Sequence, residues 1–407
     1  MLQSNLMAVD GATLEKPLQS EAAAPVVAVY RRRILAKSEA FVREQALALR
    51  RWRPVLLGEW RIDGLGLDGL DVKAVHKGAG SVLQRAAGAA WRTLDRGPLG
   101  LCKLARRQNP RLIHAHFGFD GVEAWPVARQ LDVPLLVTLH GSDITTRMKW
   151  FAEGKAGRRW QSYPQRLTAM AREGNVAFVA VSENIRHAAL AAGLPNGRIF
   201  VRPVGVDTSR FAPSGPPVAQ RAPVILFMGH LVEKKGICFL LDSFDIVRRK
   251  LPNAELVIAG EGPEHRKLAS RAVKSGNVRF VGGYTPEQAR DLLGQARVLC
   301  LPSVTAESGD AEGLGIVILE AQASGVPVVT SARGGATEGI IDGDTGFAFK
   351  ERDVAAMSAH LLRLLTDDDL AARLSKAAVS FAREKFDLET CTAALEDLYD
   401  QVAEGKI

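Results

Sequence analysis

Residues 302–338 read PSVTAESGDAEGLGIVILEAQASGVPVVTSARGGATE, and this stretch decides the fold. Glu312 and Glu320 stand eight apart, with Gly313, Leu314, Gly315 and the apolar run Ile316-Val317-Ile318-Leu319 between them. The pattern predicts Glu312 in a loop at the top of a strand and Gly315 at the opening of a helix. Glu320 then falls about a turn and a half inside that helix. Glycines at a helix N-terminus leave backbone N–H groups bare, and such a cradle receives a diphosphate well. A carboxylate on each side can accept hydrogen bonds from hydroxyls, one of a sugar and one of a ribose. Two carboxylates at this spacing also occur on any solvated helix face. The frame gives the pair its meaning: apolar strand, a loop rich in Ser, Gly and Glu, Gly-x-Gly, a short helix, then Gly325-Val326-Pro327-Val328-Val329 and Gly334-Gly335.

The same strand-then-helix grammar extends outward. Pro25 to Tyr30 reads as a first strand, and a helix is expected from Ser38, with Glu39 in its first turn, running on to Arg50, Arg51 and Arg53. No G-x-G-x-x-G follows that strand, which argues against a dinucleotide-dependent oxidoreductase. Val55-Leu56-Leu57 and Val72-Lys73-Ala74-Val75 are short strands by composition. Leu112–His116, Leu135–Leu139 and Ala177–Val181 are apolar runs with polar residues at their C-terminal edge, where α/β sites collect. Ser214-Gly215-Pro216-Pro217 reads as a linker. Beyond it, Val224–Met228, Leu256–Ala259, Val278–Val281 and Val298–Leu301 repeat the pattern, each stopped by Gly or Pro. Alternation with helices implies parallel sheets covered on both faces. The last ~50 residues have helical period.

The length of 407 residues and the 47% apolar share suit two globular domains. Cys102, Cys238, Cys300 and Cys391 form no C-x-x-C pair and suit reduced thiols in a cytosolic protein. No apolar run reaches ~18 residues, so no spanning helix is expected. Residues 1–24 lack a signal pattern and read as a disordered leader. The net charge of +8 is uneven: residues 25–210 hold 30 Lys/Arg against 15 Asp/Glu, and residues 211–407 hold 22 against 27. A basic first half suits an anionic surface or an anionic substrate carrier. A helix over 82–96 would set Arg85, Arg92 and Arg96 on one stripe, followed by Lys103, Arg106 and Arg107. A solvated face and a membrane-docking face explain that stripe about equally, and the charge imbalance favours docking. No nucleic acid partner is expected. Asp342-Gly343-Asp344 has D-x-D spacing but sits in IIDGDTGF, which reads as a turn.

The block from Pro302 to Glu338 resembles the donor-binding signature of the family-4 retaining glycosyltransferases, and the resemblance extends over nearly the whole chain after residue 24. It implies a GT-B fold: two α/β Rossmann-like domains, residues 25–213 for the acceptor and 214–385 for the nucleotide sugar, with residues 386–407 crossing back onto the first. It implies that Lys235, in Val232-Glu233-Lys234-Lys235-Gly236, binds the diphosphate leaving group in place of a metal ion. Spacing alone would equally allow an exposed loop lysine. The family usually has arginine where this chain has His230, which can donate a hydrogen bond but carries no permanent charge. The resemblance further implies that Glu320 binds ribose and that Glu312 holds sugar hydroxyls near the anomeric carbon, with Gly313, Leu314 and Gly315 around the diphosphate. Glu261 and Tyr284 would line the nucleoside, although turn and capping roles explain that region as well. His140, in Thr138-Leu139-His140-Gly141-Ser142-Asp143, would orient donor and acceptor, with His116, Ser142 and Asp143 on the acceptor side. Asp143 would hold the imidazole or touch the acceptor. A zinc site of His114, His116 and His140 is weighed and set aside, since no further ligand cluster accompanies it. The implied function is transfer of a hexose to a hydroxyl, on a lipid-linked or oligosaccharide acceptor in polysaccharide synthesis, without metal or cofactor, at the inner face of the cell membrane. Alternatives are a nucleotide-sugar 2-epimerase and a non-catalytic GT-B partner protein.

Overall fold

The computed structural model describes residues 24–78, 81, 96–331 and 333–407. The expected leader, apart from Ala24, and the helix expected over 82–96, apart from Arg96, lie outside the described residues.

Two sheets, parallel throughout, form the architecture. The first holds β1 (Val26–Tyr30), β2 (Arg33–Ile34), β3 (Arg53–Arg61), β4 (Asp71–Lys77), β5 (Leu112–His116), β6 (Leu135–Leu139), β7 (Val176–Ala180) and β8 (Ile199–Val201). Its order is β2-β3-β1-β5-β6-β7-β8, with β4 also on β3. The second holds β9 (Val224–Met228), β10 (Glu255–Ala259), β11 (Val278–Gly282), β12 (Val298–Leu301), β13 (Val328–Ser331) and β14 (Gly346–Phe349), in the order β11-β10-β9-β12-β13-β14. Central strands such as β5, β6, β7 and β12 are buried at every residue, because helices cover both faces. In each sheet the chain leaves its first strand to one side and returns on the other. The reversals fall between β1 and β5 and between β9 and β12, where α/β sheets open a crevice at their strand ends. The Asp342–Asp344 segment is a turn ahead of β14, with Asp342 accepting the Ala348 N–H at 2.8 Å.

The chain crosses between the two units twice, and the crossings are bound together. The Val206 N–H donates to Phe386 C=O at 2.8 Å, and the Leu388 N–H to Val206 C=O at 2.9 Å. A Cβ on Gly205 would lie 2.5 Å from Leu388 Cα, so glycine is required at this contact. Asp387 then caps the helix Leu388–Ala403, accepting from the N–H groups of Glu389 and Thr390.

That helix is part of the first core. Leu395, Leu398, Tyr399 and Val402 pack with Val27, Val29, Leu112 and Leu136. Its Glu396, 2% exposed, accepts the N–H groups of Arg50, Arg51 and Trp52 at 3.0, 2.7 and 3.0 Å. This corrects one expectation. The first helix does not run from Ser38 through Arg53: a 3₁₀ turn spans Lys37–Glu39, the helix is Ala40–Ala48, and β3 starts at Arg53. Glu396 captures the three amides that would have extended the helix. Arg51 pairs with Asp397 and Asp400, and Arg50 with Glu389, so these arginines fasten the C-terminal helix.

Glu396→Ala would leave three backbone donors without their acceptor, that of Trp52 buried and those of Arg50 and Arg51 partly so, and is expected to cost about 2–4 kcal/mol, the scale of losing charge-assisted hydrogen bonds. Glu396→Gln, which keeps an acceptor, should cost less. Urea unfolding followed by tryptophan fluorescence reads both; an unchanged midpoint for the alanine variant would refute the role.

Candidate active site

The loop after β9 carries the first part of the site. Its 3₁₀ turn Glu233–Lys235 ends at Gly236, whose φ is 63°. A Cβ at Gly236 would lie 2.0 Å from the Pro302 carbonyl oxygen, so only glycine lets this loop meet the one after β12. The Val304 N–H donates to Lys234 C=O at 2.7 Å and binds the two loops together. On this support Lys235 Nζ donates to Glu312 Oε2 at 2.6 Å, and the Ser303 hydroxyl donates to the same oxygen at 3.0 Å. The Lys235 and Glu312 side chains are only 13% and 10% exposed. Burial alone would raise the Glu312 pKa, but the ammonium groups of Lys235 and Lys234 and the two hydrogen bonds outweigh it and hold it at about 2. Lys234 pairs with Asp310 at 3.1 Å. Burial opposes its charge, yet Glu312 and Asp310 prevail and raise its pKa.

After Glu312 the chain passes through Gly313 and Leu314 to Gly315, which has φ 76° and caps the helix Ile316–Ala323. The N–H groups of Gly313, Leu314 and Gly315 donate to no described protein group. They are bare donors on the three residues that follow Glu312, the partner of Lys235. Glu320 lies deeper in that helix and close to Tyr284. Burial pushes its carboxyl up to about 7 against the opposing charge of Arg210. Burial, and secondarily the Glu320 charge, raise the Tyr284 phenol. Glu261, exposed past the end of β10, lies beside Gly283. His230 is exposed past the end of β9, and its ring bonds to no described residue.

The first domain meets this loop directly. A Cβ on Gly313 would lie 1.8 Å from the His140 carbonyl oxygen. The Ser182 hydroxyl donates to Gly313 C=O at 2.6 Å, and the Glu338 carboxylate accepts the Glu183 and Asn184 N–H groups, both at 2.8 Å. Thr145 bonds to Asp310 and to the Ala311 N–H, and the Arg147 N–H donates to Ser308 C=O at 3.0 Å. The strand ends of the two sheets therefore face each other across a closed cleft.

His140 follows β6, and His116 ends β5. Their rings meet through Nδ1 of His116 and Nε2 of His140 at 3.1 Å. Burial, with Arg31 and neighbouring histidines adding, holds both well below the usual histidine range. Ser142 opens a short helix, Ser142–Thr145, half-buried beside this pair. Asp143 differs from the expectation. It is fully buried, and its carboxylate accepts the N–H groups of Gly118 at 2.7 Å, Gly141 at 2.8 Å and His140 at 3.2 Å. It pins the loop through backbone and makes no bond to the His140 ring. His114 is also buried, with Nδ1 on the Tyr399 hydroxyl at 2.6 Å and Nε2 on the Thr138 hydroxyl at 2.7 Å. Among the described residues no group of three or more His, Cys, Asp and Glu side chains is arranged to hold a metal ion.

The structure thus gathers Lys235, Glu312 and Gly313–Gly315, sets Glu320 and Tyr284 behind them, and brings His140 and His116 in from the other sheet. Sequence reading missed Lys234, Ser303, Arg210, Ser182 and Glu338. Of these only Ser182 carries a local signal, as the N-cap before Glu183.

Two family models match the chain: Glycosyltransferase Family 4 over residues 72–210 and Glycosyl transferases group 1 over residues 212–381. A GDP-mannose-dependent alpha-(1-6)-phosphatidylinositol monomannoside mannosyltransferase of Mycolicibacterium smegmatis is 35% identical over 253 residues, 59% of this chain and 66% of the relative. A glycogen synthase of Mycobacterium tuberculosis is 30% identical over 328 residues, 78% of this chain and 76% of the relative. Among solved structures, HepE of Anabaena, crystallised with UDP and glucose, matches with a TM-score of 0.72 at 18% identity, covering 93% of this chain and 99% of that one.

Glu320 gives a pH-dependent stability. Its carboxyl titrates near 4.5 when unfolded and at about 7 when folded. The native state holds the extra proton across that window, so stability falls as pH rises through it. Glu320→Gln should therefore melt higher than the parent protein at about pH 8 and close to it at about pH 5, measured without ligand by calorimetry. The same shift at both pH values would refute the assignment.

Proposed function

The chain belongs to the family 4 glycosyltransferases with a GT-B fold, and we propose that it moves a hexose from a nucleotide-diphosphate sugar to a hydroxyl of a glycan acceptor, with retention at the anomeric carbon. The observation that carries this reading is the buried Lys235–Glu312 pair beside three unpartnered amides. A diphosphate entering there meets one ammonium and a row of N–H donors, with Lys234 as further positive charge nearby. These groups stabilise the charge that develops as the bond from the anomeric carbon to the phosphate oxygen breaks. The acceptor oxygen bonds to that carbon on the same face, and its proton passes to the departing diphosphate. Held neutral by burial, His140 is a weak base and serves to orient hydroxyls. Glu312, ionised across the ordinary pH range, holds sugar hydroxyls and stabilises positive charge at the anomeric carbon. Glu320 takes the ribose, Tyr284 and Glu261 flank the nucleoside, and His230 offers one hydrogen bond to phosphate. Since protein groups supply the positive charge, the reaction requires no metal ion.

Support for the donor class comes from the relative that uses GDP-mannose and from HepE with UDP and glucose. Support for a lipid-borne acceptor comes from the relative acting on a phosphatidylinositol mannoside and from the basic first half of the chain. The helix Leu99–Gln108 exposes Leu99, Lys103, Arg106 and Arg107, a combination suited to an anionic membrane surface. Among the described residues no helix is long and apolar enough to cross a membrane. The reading therefore places the protein peripherally at the inner face of the cell membrane.

Lys235→Ala and Glu312→Ala should each lower kcat/KM about 10²–10³-fold, the scale of losing one preorganised charge-stabilising group. A panel of nucleotide sugars scored by thermal shift identifies the donor first, since a bound donor raises stability by mass action. Activity should survive EDTA. Loss of turnover on chelation, restored by a divalent ion, would overturn the metal-free scheme. Sedimentation with phosphatidylglycerol and phosphatidylcholine vesicles should show binding to the former alone; equal, negligible binding would remove the docking proposal.

A further inference from the structure

We propose that Ser182 of the first domain is a positioning residue for the diphosphate: its hydroxyl fixes the peptide between Gly313 and Leu314, so that the bare Leu314 N–H is aimed only when the two domains are together. This rests on the role proposed above for the amides that follow Glu312.

Three segments meet at the Gly313 carbonyl. Ser182 is 1% exposed in the loop after β7, and its hydroxyl donates to that carbonyl at 2.6 Å. The same serine oxygen accepts the Ile185 N–H at 3.2 Å, as the N-cap of the helix Glu183–Ala191. The cap holds the oxygen in place and leaves its single proton for Gly313. On the other side stands the 3₁₀ turn Gly334–Gly339. A Cβ on Gly335 would lie 1.8 Å from the Gly313 carbonyl oxygen and 2.7 Å from the Ser182 Oγ. Glu338 of that turn accepts the Glu183 and Asn184 N–H groups, so the helix that Ser182 caps is fastened to the second domain beside this contact.

A trans peptide is a rigid plane with its C=O and N–H at opposite edges. Whatever holds the carbonyl therefore also aims the N–H, in the opposite direction. The donors after Glu312 are aimed in two ways. The Gly335 N–H donates to the Glu312 carbonyl at 3.0 Å, so the Gly313 N–H is set from within the second domain. The Leu314 N–H shares its plane with the Gly313 carbonyl, and among the described residues the one hydrogen bond on that carbonyl comes from Ser182. Gly313 has no side chain to restrict rotation of this peptide. With the domains apart, the carbonyl is free to turn toward water, and the amide turns with it. The row of donors that meets developing negative charge is thus completed across the domain boundary, which ties closure to the grip on the diphosphate.

The test uses the full chain labelled with ¹³C at glycine carbonyls and ¹⁵N at leucine amides, so that an HNCO spectrum shows only the six Gly-Leu peptides of the sequence. Leu314→Ile removes one of those signals and so assigns it. The parent protein is titrated with UDP, GDP and ADP, and the diphosphate that binds is then compared with its monophosphate. Binding of the diphosphate should move the Leu314 amide more than the other five. Ser182→Ala should shift the Gly313 carbonyl in the free protein and raise the diphosphate Kd about 3–10-fold, the scale of one hydrogen bond. The monophosphate Kd should rise less. Ser182→Asp keeps the helix cap but, once ionised, has no proton to donate; it should bind the diphosphate no better than Ser182→Ala. A Leu314 signal that ignores a bound diphosphate would overturn the proposal. So would parent-like diphosphate affinity in either variant, or an equal loss for the monophosphate. Failure of the wider reading looks different, and the proposal falls with it: no diphosphate binds the parent protein, while the Gly313 carbonyl still reports the loss of the Ser182 hydroxyl.

Discussion

The Lys235–Glu312 ion pair is the constraint around which the second domain is built. Two charges about nine-tenths buried are tolerable only together, since removing either leaves an uncompensated charge in a poorly solvated site. The pair exists because β9 and β12 lie side by side where the sheet order reverses, so the loops after them emerge as neighbours. It closes to hydrogen-bonding distance because Gly236 allows its loop to touch the Pro302 carbonyl. Topology, one glycine and one ion pair form a single chain of cause from sheet order to chemistry.

The first domain repeats the plan with different chemistry. At its own reversal, Arg31 after β1 donates to the His116 carbonyl at the end of β5, at 2.8 Å. That arginine is already committed to Glu39 and Asp120, and Arg32 to Glu59 and Glu123. The inner crevice on this side is therefore compensated rather than cationic, despite the basic excess of this half of the sequence. Glu338 reaches across to the N-terminus of the helix Glu183–Ala191, where a carboxylate is favoured by the helix dipole. A second-domain side chain thus satisfies first-domain backbone within a few residues of the Gly313 contact.

How much was legible depended on how local the cause was. Most strands were legible because each is a short apolar run with its own terminator, whereas the two-residue β2, Arg33–Ile34, has no such run; the Glu312–Glu320 block was legible because strand, loop, glycines and helix follow one another without interruption. The end of the first helix was not. Arg50 to Trp52 continue a helical pattern, and the carboxylate that stops it belongs to Glu396, 346 residues on from Arg50. For Asp143, close in sequence to His140, the expected roles are holding the imidazole or touching the acceptor, but its carboxylate accepts backbone N–H groups instead, one of them from Gly118 on a different element. Lys234 and Arg210 matter through charges brought near by folding, and no spacing rule marks them. The three histidines do lie together, but both ring nitrogens of His114 are taken by Tyr399 and Thr138, and Nδ1 of His116 meets Nε2 of His140.

The C-terminal helix has a consequence for how the protein is made. Its Leu395, Leu398 and Tyr399 complete the core over β1 and β5, which leave the ribosome hundreds of residues earlier. Until the segment past Asp387 emerges, the nascent first sheet keeps an apolar face around Val27, Val29 and Leu112 uncovered while the second domain is already whole. The order of synthesis and the order of completion are reversed. The half of the molecule born first is finished last, and it is the half with most need of a chaperone's shelter during translation.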